Sequence, residues 1–254
     1  MDLVLLAIAA TTAGFIDAVA GGGGLIQVPA LFTLLPGESP AVLFGTNKGS
    51  SIVGTANATW RYGRGLRLPW DIALPAAATA ILFSYVGAAT VAWLPREVVR
   101  PVVLGLLVGV FAHTAWRPDF GGGRGGGRNI APRWRPWAAA GAGAALGFYD
   151  GFFGPGAGSF MIFAFVWLFG LDFLRASGAA KVVNLATNAA ALLYFLPHGQ
   201  VLWATTLVMA VFNFLGATVG TRLALRHGTD FVRLLFLVAT AMLIGKFGYD
   251  TLRF

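Results

Sequence analysis

The chain has 254 residues, of which 57% are hydrophobic and 11% charged, with a formal net charge of +8 and no cysteine. An ordinary soluble domain is about 25% charged, so the charges are too few to cover a water-exposed surface, and the mean hydropathy of +0.74 fits a chain surrounded mostly by lipid. The missing thiols exclude disulfides, thiolate metal sites and cysteine nucleophiles, and His113, His198 and His227 lack ligand spacing, so no metal or other cofactor is expected.

In chain order, apolar stretches lie at about 2–20, 25–35, 41–60, 70–94 and 98–116. The first resembles a secretory signal, since Leu3 to Ala10 precede Ala18-Val19-Ala20, but Asp2 stands where a basic segment is needed and the pattern returns in mid-chain. It is read as part of the mature protein. A linker follows at 117–136, rich in Gly and Arg (Phe120-Gly-Gly-Gly-Arg-Gly-Gly-Gly-Arg128), a composition that favours flexibility over packing. Apolar stretches resume at about 137–153, 157–170, 177–196, 201–225 and 231–249. The organisation expected is a first membrane repeat at 1–116, a cytoplasmic linker at 117–136 and a second repeat at 137–254, an all-α polytopic membrane protein of four to five segments per half.

A shift of 133 positions superposes the halves without a gap: Gly14 on Gly147, Phe15 on Phe148, Asp17 on Asp150, Gly21 on Gly154, Gly23 on Gly156, Lys48 on Lys181 and Arg100 on Arg233. Glycines alone could coincide by chance in a Gly-rich chain. Coincident Asp and Lys pairs among so few charges argue for duplication, as many transporters carry. If 2–35 crosses twice, the basic loops at Arg61 to Arg67, the linker, and Arg222 to His227 fall on one side, as cytoplasmic loops require, and the repeats are inverted. The stretch 25–35 is short for a full crossing, so a kinked or re-entrant hairpin stays equally open. The basic residues are read as topology signals, not as a nucleic-acid stripe. Trp60, Trp70, Trp93, Trp116, Trp134 and Trp137 lie near segment ends, where an aromatic belt belongs, and Gly87-Ala88-Ala89 and Gly216-Ala217-Thr218 suit close helix packing.

Gly21 to Gly24, and Gly154-Pro155-Gly156-Ala157 in the second half, are poor material for a continuous helix, since each glycine costs about 1 kcal/mol relative to Ala. A broken backbone at membrane depth has to be buried in protein or line a watery cavity. The helix starting after each break presents free N–H groups and a positive dipole end, suited to an anion; the alternative is that the glycines only permit close packing. Asp17 and Asp150 lie four residues before each run, within apolar sequence, and such carboxylates are expensive unless they do something. Two roles are open for them, proton carrier or hydrogen-bond partner of the broken helix end.

Lys48 and Lys181 each follow their Asp by 31 residues. Both are read as lying at the beginning of a helix, from which a lysine can snorkel to the interface; the other reading turns them to the centre, where they neutralise the acids and attract an anion. Asn47, Ser51, Thr55, Asn57, Asn184, Thr187 and Asn188 offer hydrogen bonds along the same segments, and Ser51, Thr55, Asn184 and Asn188 form a matched set at i, i+4.

Gly14-Phe-Ile-Asp-Ala-Val-Ala-Gly-Gly-Gly-Gly to Pro29, Gly45-Thr-Asn-Lys48 and Gly147-Phe-Tyr-Asp-Gly-Phe-Phe-Gly-Pro-Gly-Ala-Gly-Ser-Phe160 together resemble the TauE/SafE sulfite exporters, the toluene-sulfonate uptake permease family, over essentially the full chain. The resemblance implies a multi-pass transporter of the bacterial inner membrane for sulfite, sulfonates or related sulfur-containing or carboxylate anions. The chain departs from symmetry where Asn47 becomes Ala180 and where Pro155 stiffens the second break.

The expected function is therefore proton-coupled secondary transport by alternating access, with a substrate site at Gly21, Gly22, Gly23, Gly24, Asn47, Lys48, Ser51, Gly154, Gly156, Lys181, Asn184 and Asn188. The partners expected are a small anion, protons and the lipid bilayer, without nucleic acid; the lipid-facing segments do not separate a homodimer from a monomer. An enzyme lacks a nucleophile and base here, and the stronger rival is a cation or metal carrier built on Asp17 and Asp150.

Overall fold

The structure is a computed structural model that describes residues 2–90 and 130–252. The expected segment at 98–116, most of the linker, and Trp93, Arg100, His113 and Trp116 lie outside the described residues. Within them the protein is all α, with eight helices: α1 (Asp2–Ala20), α2 (Gly24–Leu34), α3 (Pro40–Gly65), α4 (Trp70–Thr90), α5 (Arg135–Phe152), α6 (Ala157–Phe169), α7 (Phe173–Phe195) and α8 (Trp203–Leu252). The stretches expected at 201–225 and 231–249 are two helical segments of α8 that meet at Gly228, whose φ 75° and ψ −159° are not helical. The first long helix of the second half begins two residues inside the expected linker, at Arg135. Pro136 is tolerated in the first turn of α5, where its missing N–H would have had no partner.

Local chemistry sets these boundaries. The Ser39 side chain accepts the Val42 N–H ahead of Pro40, and Asp172 accepts the Arg175 N–H at 2.8 Å, so α3 and α7 start well before their lysines. Helix α1 stops at Gly21, whose φ of 76° only glycine adopts readily. In the second half Gly154 (φ 85°) and Gly156 (φ 82°) flank Pro155.

Helices α1, α4 and α8 are long and apolar enough to cross a membrane, and α2 and α6 are shorter apolar helices of 11 and 13 residues. At 1.5 Å per residue these two span about 16 and 20 Å, well short of a ~30 Å hydrocarbon layer. They do not continue their predecessors. Leu31 packs with Leu6 and Leu43, so the far end of α2 lies beside the start of α1. Likewise the Ile130 N–H donates to Leu168 O at 3.3 Å, placing the end of α6 beside the start of α5. Both are helical hairpins whose glycine tips point inward.

The helix starts recur at the shift read from sequence: Asp2 and Arg135, Gly24 and Ala157, Pro40 and Phe173, Trp70 and Trp203. The packing recurs crosswise, α1 lying on α8 and α4 on α5, with α3 against α7 between them. An added Cβ at Gly216 would meet Thr11 O at 1.9 Å, and one at Gly87 would meet Phe148 O at 2.3 Å, so both small-residue faces are close backbone contacts.

Helix α3 has 26 residues, about 39 Å. The start of α1 lies beside the first turn of α3, whereas Arg135 at the start of α5 reaches Asp71, beyond its last turn, at 3.8 Å. The two halves thus enter from opposite ends, the arrangement inverted repeats would have. Arg61, Arg64 and Arg67 share the second end with Arg133 and Arg135, and Gly65 abuts Leu225, which brings Arg222 and Arg226 there too. Trp60, Trp70, Trp134 and Trp137 are exposed at that end, with the Arg64 guanidinium 5.0 Å from the Trp60 ring. The remaining surface is apolar, as at Leu74, Leu82, Leu207 and Val211.

Candidate functional site

Helices α3 and α7 carry the buried polar residues of the molecule's centre. Lys48 and Lys181 do not begin these helices; each lies eight residues in, at 3% and 0% exposure, so neither snorkels to a surface. Because the hairpins approach the central pair from opposite ends, each lysine meets the aspartate of the other half. Lys48 Nζ lies 2.7 Å from Asp150 Oδ1, and Lys181 Nζ lies 2.7 Å from Asp17 Oδ2. Removing one partner from a pair buried this deeply typically costs about 3–5 kcal/mol, because the charge left behind is uncompensated.

The two glycine breaks touch. The Ser159 N–H donates to Gly21 O at 3.1 Å, and a Cβ on Gly21 would fall 2.2 Å from Gly158 C. The last carbonyls of α1, which have no partner within the helix, accept from three hydroxyls of other helices: Tyr62 to Ala18 O (2.9 Å), Ser177 to Val19 O (2.9 Å) and Ser159 to Ala20 O (2.7 Å). Helices α2 and α6 begin at this meeting point with no side-chain cap. The backbone of the turns takes up the Leu25, Ile26, Ala157 and Ser159 N–H groups, and Gly24 and Gly158 at the two starts line the space between them, where the positive dipole ends face.

Between these features lies a cavity of about 20 Å³. Of the residues expected from sequence, Asp17, Gly21, Gly24, Asn47, Lys48 and Ser51 from the first half and Asp150, Gly154, Asn184 and Asn188 from the second line it, and Gly158 adds to them. Gly22, Gly23, Gly156 and Lys181 do not. Gly22 and Gly23 form the turn into α2, Gly156 caps α6, and Lys181 is sealed against Asp17. Thr55 reaches Asn184 and Asn188 across the centre at 3.5 Å each. Asn57 does not belong to the site; it binds Thr218 at 2.7 Å and Arg61 at 3.0 Å. The buried Asn47 Oδ1 has no hydrogen-bond partner among the described residues, so this amide lines the cavity with unused capacity.

The aspartates differ in their surroundings. Asp150 has both oxygens engaged, one by Lys48 and the other by the Thr187 hydroxyl. Asp17 has Lys181 as its one side-chain donor among the described residues, and 18% of its side chain stays exposed.

Sequence reasoning missed a second polar cluster beside the cavity. Gln27, fully buried on α2, donates to Ser50 Oγ and accepts from Asn213 Nδ2 at 3.0 Å. The available signal was an amide inside each of two apolar runs.

A comparison of the chain with known families matches the family described as sulfite exporter TauE/SafE over residues 6–247. Among curated proteins, the probable membrane transporter protein YfcA of Escherichia coli strain K12 is 36% identical over 249 residues, covering 98% of this chain and 90% of that protein. The probable membrane transporter protein ORF9 of Sinorhizobium sp is 37% identical over 248 residues, covering 95% and 91%. A probable membrane transporter protein of Haemophilus influenzae is 33% identical over 252 residues, covering 98% and 95%. No solved structure matches.

Proposed function

The chain belongs to the sulfite exporter TauE/SafE family and is a membrane transporter rather than an enzyme, and on that footing we propose that it carries a small anion, such as sulfite or a sulfonate, across the bacterial inner membrane with protons, by alternating access. The observation that carries this reading is the exchange of two buried Lys–Asp pairs between the halves, beside two uncapped helix starts, around one cavity. Lysine ammonium groups and helix N-termini both attract negative charge. The aspartates already face ammonium groups, which favours an anion over the rival cation carrier.

The substrate residues are those that line the cavity: Lys48 and Asn47, Ser51, Asn184 and Asn188 for the anion's oxygens, with the backbone at Gly21, Gly24, Gly154 and Gly158 allowing close approach. A cavity of about 20 Å³ has room for water and not for a sulfonate. Admitting the anion therefore requires the hairpins or the halves to separate, first toward one side and then the other.

Purified protein in liposomes tests the reading. Lys48→Ala and Lys181→Ala are each expected to abolish sulfite or sulfonate flux. Unchanged flux and unchanged pH dependence in both variants would remove the central site from the mechanism.

A further inference from the structure

Building on this reading of the cavity as an anion site, we propose that the two aspartates divide the work: Asp17 is the carboxylate that exchanges the proton, Asp150 is a fixed counter-charge, and proton and anion occupy the site together and cross in the same direction.

The asymmetry is built into the helices. Thr187, whose hydroxyl engages Asp150, corresponds at the 133-residue shift to Gly54. No hydroxyl fits there, because a Cβ at Gly54 would lie 1.9 Å from Asn213 Oδ1. Asp150 is thus held through both oxygens at 2% exposure, and the Thr187 carbonyl is itself bound by Ser84 Oγ at 2.9 Å. Asp17 is held through one oxygen and keeps 18% of its side chain exposed, lining the cavity. Of the two, it is the one a proton can reach without dismantling a hydrogen-bond set.

The charged and titratable groups around Asp17 are few. Helix α7 brings Lys181, α3 brings Lys48 and Tyr62, and α5 brings Asp150 across the cavity; α2 and α6 contain no titratable residue. Helix α8 presents Gly216 and Gly220 to α1, while its Arg222 and Arg226 are exposed. With both aspartates ionised, the four central charges sum to zero. A proton on Asp17 moves that sum to +1, turns the carboxylate into an O–H donor lining the cavity, and leaves the Lys181 ammonium behind it without a counter-charge. The site then attracts a monovalent anion, and by linkage the bound anion holds the proton. When the proton leaves, the restored Lys181–Asp17 pair releases the anion.

The test uses the full-length protein in detergent with methanesulfonate as probe, because its charge does not change with pH. Affinity is read from thermal stabilisation. In the wild-type protein, affinity is expected to fall about tenfold per pH unit above the pH where Asp17 loses its proton, and unbuffered protein is expected to take up about one proton per anion bound. Asp17→Asn is expected to remove the slope while keeping tight binding, and in liposomes to uncouple flux from the pH gradient. Because that variant strands Lys181, Asp17→Asn combined with Lys181→Met serves as the folding-safe version: its central charges again sum to zero, so weaker binding with no slope is expected, in contrast to Asp17→Asn alone. Asp150→Asn, which leaves Lys48 without its counter-charge and adds a positive charge to the site, is expected to bind the anion at least as tightly and keep the slope. Thr187→Val, which changes no charge, is expected to keep the slope as well.

A slope retained without Asp17, or lost in Asp150→Asn alone, overturns the assignment while leaving the anion site standing. Release of a proton on anion binding overturns the shared direction. Absence of methanesulfonate, sulfite and carboxylate binding at every pH overturns the anion site itself, and this inference with it.

Discussion

At the first break the chain turns through Gly21-Gly22-Gly23, and the returning α2 is tied by amides, Gln27 meeting Asn213 on α8 and Ser50 on α3. At the second it turns through Gly154-Pro155-Gly156, the Tyr149 hydroxyl closes the turn on Pro155 O at 2.6 Å, and the Tyr149 ring packs edge-on against Phe160 at 5.5 Å. The positions correspond at the 133-residue shift: Gly22 with Pro155, Gln27 with Phe160, Ile16 with Tyr149. One hairpin combines free backbone torsions with directional polar ties; the other combines a fixed torsion with aromatic contact. Similar geometry has been reached by different chemistry, and the backbone freedom is concentrated in the first hairpin, which also carries the more accessible aspartate.

Five substitutions, with one neutral control, separate what the hairpins share from what distinguishes them. The largest effect is expected from Gly21→Ala, which strains a positive φ and drives a methyl into Gly158, for a loss of about 2–6 kcal/mol from the two causes together. A melting curve in detergent is expected to show little or no folded protein, whereas Gly37→Ala, with nothing within 4 Å, serves as the neutral control. A Gly21→Ala protein of normal stability would mean that the two tips do not touch.

Next, Lys48→Ala strands Asp150 in a fully enclosed setting and is expected to cost about 3–5 kcal/mol. Lys181→Ala is expected to cost less, because 18% of the Asp17 side chain stays exposed against 3% for Asp150. Equal losses in the two variants would erase the difference between the aspartates.

Asn213→Ala removes the donor to Gln27 Oε1 and is expected to cost about 1–3 kcal/mol, with faster hydrogen exchange in α2 and unchanged exchange in α6. Tyr149→Phe keeps the ring contact and deletes only the bond to Pro155, for about 1 kcal/mol and a response confined to α6. Responses spread equally over both hairpins would show that the amide and aromatic ties are interchangeable.

The charged centre was legible from sequence because Asp17, Asp150, Lys48 and Lys181 are rare charges in apolar runs and recur at one shift. Which lysine meets which aspartate was not legible, since the crossing follows from the halves entering at opposite ends. Nor could the pattern decide between a crossing and a hairpin at 2–35: Leu6 and Leu31 are equally apolar in either arrangement, and only their contact distinguishes the two. The serine hydroxyls that cap α1 were hidden for another reason. In a helix Ser and Thr hydroxyls often turn back to the carbonyl four residues earlier, as Thr11 does to Ala7 and Thr33 to Pro29, so Ser159 and Ser177 carry no mark of reaching across to another helix. The lysines were placed at helix starts although the turns before them are largely apolar, Pro40-Ala-Val-Leu43 and Phe173-Leu-Arg-Ala176; the signal passed over was the pair of capping residues, Ser39 and Asp172, nine residues earlier.

The crosswise pairing of charges also bears on how the protein is made. Lys48 leaves the ribosome 102 residues before Asp150, and Asp17 leaves it 164 residues before Lys181. Throughout that interval the amino-terminal half holds one bare cation and one bare anion of its own, and no docking between its helices is complete. Final assembly has to wait for the carboxy-terminal half to arrive in the bilayer. A chain cut short before Asp150 has neither of the partners that Lys48 and Asp17 meet in the folded protein.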